Sequence, residues 1–303
     1  MTDILRIVDL HKSFGTTSVI EGISLTVPAG SVFGFIGENG AGKTTTMKMV
    51  LGLIRADSGE VYVCDEKVRF GMTATNRFVG YLPDVPEFYP YMRPREYLRL
   101  CGEITGLSDS DIRTRSGELL ELVGLSGSNR KIGGFSRGMK QRLGVAQALI
   151  GKPTLLICDE PTSALDPVGR KEVLDILTQI RGDTTVIFST HVLSDVERIC
   201  DRAAVLHKGH IVLNGTLSDL KAQHGSNGLR IEFSHPDDTA RFLALVSEGL
   251  VTSHTDSEVV LGTTTDETTE MSMLRLLSDN DILPVSFEIL EPSVENLFLE
   301  AVS

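Results

Sequence analysis

Gly37-Glu38-Asn39-Gly40-Ala41-Gly42-Lys43-Thr44-Thr45 lies between the apolar run Ser31-Val32-Phe33-Gly34-Phe35-Ile36 and the helical pattern Thr46-Met47-Lys48-Met49-Val50-Leu51. The order is strand, glycine loop, helix. Glycines let the backbone curl so that successive N–H groups and the positive end of the helix converge on phosphate. Lys43 adds a mobile charge, and the Thr44 hydroxyl offers an oxygen to Mg²⁺. The stretch reads as a Walker A phosphate loop, with Gly37, Asn39, Gly40, Ala41, Gly42, Lys43, Thr44 and Thr45 as its nucleotide-binding residues.

A chain of 303 residues, 41% apolar, has room for two domains and is globular rather than disordered. No signal-peptide pattern opens it and no apolar run approaches the roughly 18 residues that cross a bilayer, so any membrane role is expected to come through a partner. Cys64, Cys101, Cys158 and Cys200 form no CxxC pair and no metal-ligand spacing, and read as buried or inert thiols of a reducing cytosol. The net charge of -12 is uneven. Residues 1–223 hold 26 acids and 26 bases, whereas the remainder holds 15 acids against Arg230, Arg241 and Arg275. The tail therefore carries the whole excess, which marks a domain boundary near His224-Gly225-Ser226-Asn227-Gly228. An acidic tail also argues against nucleic acid or anionic lipid as its ligand.

Ahead of the loop, residues 4–10 and 18–27 read as extended. Phe14 lies between them, where an aromatic either stacks on an adenine face or fills the core. Residues 61–63 and 78–82 read as further strands. Pro83, Pro86 and Pro90 keep the next loop out of helix, and its Phe88, Tyr89 and Tyr91 either pack on their own domain or dock another chain. Two helical segments follow, one with Tyr97, Cys101 and Ile104 on one face, the other with Ile112, Leu119, Leu120 and Val123 inward. Ser136 is placed to cap the helix through Leu143, Ala146 and Leu149. Leu155-Leu156-Ile157-Cys158 is a wholly apolar run, as in the middle of a parallel sheet, and it ends in Asp159-Glu160. A helix from Pro167 to about Ile180 leads to the strand Thr185-Val186-Ile187-Phe188 and to His191. A lone histidine is more often structural, but the carboxyl ends of central strands are where α/β sheets place ligands.

In this order the motifs resemble those of an ABC transporter ATP-binding subunit, over residues 4 to about 222. The Walker A loop is followed by Phe135-Ser136-Arg137-Gly138-Met139, similar to the signature loop, and by the Walker B strand ending in Asp159-Glu160. Ser163-Ala164-Leu165-Asp166 is similar to the D-loop and His191 to the switch histidine. The resemblance implies an α/β P-loop ABC ATPase domain over residues 1–223, with a mostly parallel sheet core, an antiparallel β subdomain and a helical subdomain at about 84–150. It implies ATP and Mg²⁺ as ligands, with Phe14 on the adenine, Thr44 and Asp159 at the metal, Glu160 as general base and His191 at the γ-phosphate. Two copies, or this chain and a homologous ATPase, would sandwich two nucleotides head to tail. Ser136 and Gly138 would then close on the other subunit's ATP, and Asp166 would lie at the seam. An integral-membrane permease and a peripheral place on the cytoplasmic face of the membrane complete the implied setting.

Two departures stand out. The family's signature is Leu-Ser-Gly-Gly-Gln, and of its five positions this chain keeps Ser136 and Gly138 while Phe135, Arg137 and Met139 differ. Where the family carries a glutamine that touches Mg²⁺ and the attacking water, this chain has Asp84. An ionised Asp84 reaches a metal through water but only accepts hydrogen bonds, so it cannot donate to a phosphate.

In the tail, 229–233 alternates like a strand, and 237–248 reads as a helix with Phe242, Leu245 and Val246 inward. A hairpin over 250–254 and 258–262, a helix over 268–278 and a strand over 285–290 give the order βαββαβ, expected to be a small α+β ferredoxin-like domain over 224–303. Glu291-Pro292-Ser293-Val294-Glu295-Asn296-Leu297-Phe298-Leu299 resembles the tail of the ABC-2 exporter ATPases. The expected function is the ATPase motor of an ABC-2-like exporter. A soluble ABC ATPase acting on ribosomes, nucleic acid or cofactor assembly, and an importer's ATPase, are the alternatives. Those acting on nucleic acid or ribosomes would be expected to show a basic patch, a coiled-coil insertion or two tandem ATPase units, and none is seen, so no nucleic acid partner is expected.

Overall fold

A computed structural model describes residues 3–72, 74–224, 228–262, 267–290 and 294–302. Gly225, Ser226 and Asn227 of the expected boundary, and Glu291, Pro292 and Ser293 of the terminal motif, lie outside them. The described chain forms two compact units that divide between Leu217 and Ser218.

The first unit opens with β1 (Asp3–Phe14), β2 (Thr17–Pro28), β3 (Val32–Ile36) and α1 (Lys43–Val50). β4 (Ser58–Val63), β5 (Glu66–Lys67) and β6 (Val79–Leu82) precede α2 (Pro94–Ile104), α3 (Asp109–Leu122) and α4 (Arg137–Leu149). β7 (Leu155–Asp159), α5 (Pro167–Gln179), β8 (Thr185–Thr190), α6 (Leu193–Ile199), β9 (Arg202–His207) and β10 (His210–Thr216) complete it. The central sheet has the order β10-β9-β3-β8-β7-β6 and is parallel except for the edge pair β9 and β10. β3, β7 and β8 are buried at every position, which explains why they read as continuous apolar runs rather than alternating ones. Their carboxyl ends deliver the glycine loop, Glu160 and His191 to one edge of the sheet.

A second, antiparallel sheet of order β2-β1-β4-β5 shares its core with the first. Ile7, Leu10 and Ile23 pack in one cluster with Phe33, Phe35, Met47 and Ile187, so α1 is clamped between the two sheets. The helical part rests on β6 through α4, closely enough that a Cβ on Gly80 would come within 2.2 Å of the Ala148 carbonyl. Tyr97, Ile112, Leu119, Leu120 and Val123 are buried as expected. Ile104 is not: it is 77% exposed at the last position of α2. β9 and β10 carried no sequence expectation, although the apolar run Ala203-Ala204-Val205-Leu206 before Lys208-Gly209 is a strand and turn signal.

The second unit follows α7 (Leu217–His224) with β11 (Gly228–Phe233), α8 (Pro236–Leu245), β12 (Val251–His254), β13 (Glu258–Leu261), α9 (Glu267–Asp279), β14 (Pro284–Leu290) and α10 (Val294–Val302). Its sheet has the order β12-β13-β11-β14 with every pairing antiparallel, the arrangement of a βαββαβ ferredoxin-like domain. Phe242, Val246, Ile231, Phe233 and Leu277 form its core. Leu245, expected inward, is 42% exposed. The helix stops there and the backbone turns extended at Val246, which is buried as expected.

Candidate functional site

The glycine loop wraps the start of α1. Gly42 has φ +108, a conformation that side chains rarely adopt, and a Cβ there would stand 2.5 Å from Ile20 Cδ1 and 3.1 Å from the Val19 carbonyl. A Cβ on Gly37 would fall 2.6 Å from the Leu206 carbonyl, so the loop sits directly against β9. Lys43 is buried, its Nζ donating to the Gly37 carbonyl at 2.7 Å and the Glu38 carbonyl at 3.1 Å. The cation is thus folded back over the loop that its own helix begins.

Glu160 follows β7 with φ +47, a left-handed backbone that costs about 1–3 kcal/mol in a residue with a side chain. Its N–H is shared between the Ser189 carbonyl and the Ser189 hydroxyl, each at 3.1 Å, which holds the turn against that cost. The conformation aims the carboxylate between two partners. Oε1 makes an ion pair with Lys43 Nζ at 3.1 Å, outside hydrogen-bond geometry, and Oε2 accepts from His191 Nδ1 at 2.9 Å. An ionised carboxylate only accepts, so His191 donates from Nδ1 and keeps Nε2 for another partner. Asp159, one residue earlier and buried, accepts from the Ser189 hydroxyl at 2.6 Å.

A pocket of about 300 Å³ is lined by Val19, Asn39, Gly40, Gly42, Lys43, Thr44, Thr45, Asp84 and Glu160. The Walker loop, the general-base candidate and the loop after β6 therefore meet at one place. The chemistry fits a nucleotide phosphate with its cation: backbone donors at a helix start, a lysine, and hydroxyl and carboxylate oxygens of the kind Mg²⁺ takes. Ser136, Gly138 and Asp166 lie elsewhere. They line a separate cleft, where Ser136 caps α4 by accepting from Met139 N at 3.2 Å and Asp166 caps α5 by accepting from Gly169 N at 3.2 Å. Phe14 is 50% exposed at the β1–β2 turn with Lys12 Nζ 5.1 Å from its ring centre, so it is not a core residue.

The proline-rich loop borders a groove of about 410 Å³ lined by Asp84, Val85, Phe88, Ile132, Arg137 and Gln141 among others. Phe88 packs edge-on against Tyr97 of α2 at 5.0 Å, while Tyr89 and Tyr91 are more than half exposed. Sequence reasoning assigned no role to Ser189, Thr162, Arg170 or Asp195. Buried Asp195 on α6 accepts from the Thr162 hydroxyl at 2.7 Å and from Arg170 Nε at 2.6 Å, tying the segment after Glu160 and helix α5 to the segment after His191. All four cysteines are free, and burial raises each thiol's pKa above the ordinary range, as befits inert thiols.

Residues 20–163 match the family model described as ABC transporter, and residues 215–302 match the C-terminal domain of DrrA1-3-like ATP-binding proteins. The linearmycin resistance ATP-binding protein LnrL of Bacillus subtilis is 32% identical over 303 residues, 98% of this chain and 97% of that protein. The bacitracin transport ATP-binding protein BcrA of Bacillus licheniformis is 37% identical over 227 residues, 74% of this chain and 73% of that protein. A solved structure described as the ATP-binding subunit of an ABC transporter is 32% identical, with a TM-score of 0.67, covering 73% of this chain and 93% of its own.

Proposed function

The chain belongs to the ATP-binding proteins of the ABC transporter family, and from that premise we propose that it is the ATP-hydrolysing motor of an ABC-2-like exporter. A separate permease supplies the path through the membrane. The observation that carries this reading is the likeness to a linearmycin resistance ATP-binding protein along 98% of the chain, acidic tail included. No described helix is long and apolar enough to cross a membrane, which fits a subunit that works on the cytoplasmic face of a partner.

Lys43 and the loop amides hold the β and γ phosphates, and Phe14 stacks on the adenine. Thr44 and Asp159, together with Asp84, would hold Mg²⁺, which would supply charge neutralisation at the phosphates. Glu160 accepts the proton of the attacking water, its carboxylate aimed by the strained turn and by His191. His191 contacts the γ-phosphate through Nε2. In a head-to-tail pair of ATPase chains, Ser136, Gly138 and the positive start of α4 close on the partner's γ-phosphate, with Asp166 at the seam. Such a sandwich is stabilised only while the γ-phosphate bridges the halves, so hydrolysis opens it and moves the permease. The groove beside Asp84, with Tyr89 and Tyr91 exposed near it, is the surface offered to that permease.

The test is to tag the chain in its native host, solubilise membranes gently in ATP-free buffer and identify what co-purifies. A stoichiometric multi-span protein without its own ATPase is expected. Ribosomal particles, or recovery from the soluble fraction with no membrane partner, would overturn the exporter reading.

A further inference from the structure

The two departures from the family pattern meet in space. Asp84 follows β6 and Arg137 is the first residue of α4, 53 positions apart (137 less 84), yet Arg137 Nη2 stands 3.9 Å from Asp84 Oδ1. That oxygen is shut off from solvent and has no hydrogen-bond partner, although the Asp84 side chain as a whole is 45% exposed. Asp84 also lines the phosphate pocket, whereas Arg137 reaches it only across the neighbouring groove that both residues share. Among the described residues lining the phosphate pocket, the charged ones are Lys43, Glu160 and Asp84. Lys43 and Glu160 pair at 3.1 Å and cancel. What remains is one carboxylate, where a polyanion has to bind.

We infer that Arg137 is a positioning residue for nucleotide in its own subunit's pocket, because its guanidinium neutralises the Asp84 carboxylate that would otherwise repel the triphosphate. This rests on the reading of that pocket as the nucleotide site. A neutral glutamine at position 84 would need no counter-charge and a glycine at position 137 would supply none, so the two departures complement each other in charge. At 3.9 Å the two charges lie well inside a Debye length of about 8 Å, so the guanidinium offsets the Asp84 charge although Arg137 itself does not line the phosphate pocket. The role differs from that of Ser136 and Gly138, which face the other subunit's nucleotide. Arg137 acts in cis, through a charge.

The experiment measures ATP affinity of the full chain by calorimetry in EDTA, where Mg²⁺ shields nothing. Arg137→Gln is expected to weaken binding about three- to tenfold, the size of one partly exposed charge at low salt. Asp84→Asn is expected to tighten it by a similar factor, and the double variant to return within about twofold of the parent. Arg137→Lys keeps the charge and the parental affinity. All these differences shrink at high salt. An Arg137→Gln chain with parental affinity, a double variant as weak as Arg137→Gln alone, or a loss indifferent to salt would overturn the inference, since a contact to the partner's nucleotide or a packing role is not rescued by Asp84→Asn. Failure of the unchanged chain to bind ATP would instead refute the nucleotide-site reading on which the inference stands.

Discussion

Replacing Asp195 by alanine is the perturbation with the largest structural reach. The carboxylate is 2% exposed and accepts from the Thr162 hydroxyl, itself 4% exposed, and from Arg170 Nε. Alanine leaves the buried hydroxyl without an acceptor, which costs about 1–3 kcal/mol. It also leaves Arg170 without its ion pair; a buried pair broken this way costs about 3–5 kcal/mol. Arg170 is 31% exposed and keeps the Ser194 hydroxyl at 2.8 Å, so water and Ser194 absorb most of that, leaving roughly 1 kcal/mol. The expected loss is about 3 kcal/mol, or about 6–12 °C in the melting of a unit of this size. Calorimetry of the full chain reads it as a shift of the larger unit's transition. Asp195→Asn keeps one acceptor and should lose about half as much. Because the network joins the segments that carry Asp166 and His191, ATP hydrolysis should fall with Asp195→Ala even below the shifted transition. A shift under about 2 °C would mean the network contributes no more than a surface ion pair, and the reasoning would fail.

Glu160→Gln should slow hydrolysis by about 10²–10⁴-fold while ATP still binds, and a variant that hydrolyses at the parental rate would remove the general-base assignment. Gly42→Ala forces a side chain onto φ +108 and into Ile20, so ATP affinity should drop at least about tenfold; unchanged affinity in titration would show the loop has slack. Phe14→Ala should barely alter melting, since the ring is half exposed, but should cost about 1–3 kcal/mol in ATP affinity and nothing for inorganic triphosphate. Burial raises the Cys158 and Cys200 pKa, so in the native protein iodoacetamide should leave both unlabelled at pH 8, with rapid labelling on unfolding. The same shift has a stability sign: the folded thiols resist ionisation, so stability is lost as pH rises past the unfolded thiol range, and labelling of folded Cys158 below that range would contradict the burial.

The sheet edge that carries the candidate site was legible because the middles of buried parallel strands are apolar and their polar residues gather at the ends. Val32 to Ile36 leads into the glycine loop, Leu155 to Cys158 into Asp159-Glu160 and Thr185 to Phe188 into Ser189-Thr190-His191, so each apolar run is followed within a few residues by candidate site residues. The tail was legible for a different reason, since its strands and helices alternate between two distinct periods, and βαββαβ permits few sheets. Errors fell at helix ends. Ile104 and Leu245 both occupy the last position of their helices, where periodicity still assigns a face but the neighbouring element that would cover it has already passed. Asp195 escaped notice because an acid in a short polar helix has no periodic signature, and its partners Thr162 and Arg170 are 33 and 25 residues away.

Residues that depart from a pattern are the hardest to read singly. Asp84 taken alone looks like a loss, an acceptor where a donor and acceptor is usual, and Arg137 taken alone looks like drift in a loop whose neighbours Ser136 and Gly138 are kept. Neither reading contains a charge balance, because sequence order does not say that the loop after β6 and the start of α4 share a wall. Once they do, the acid needs a cation and the cation has its acid. The arrangement also places that cation at the foot of the helix capped by Ser136, so the charge that steadies one nucleotide pocket belongs to the element proposed to close the other. A change at either residue should therefore be felt at both sites, and through Asp84 first.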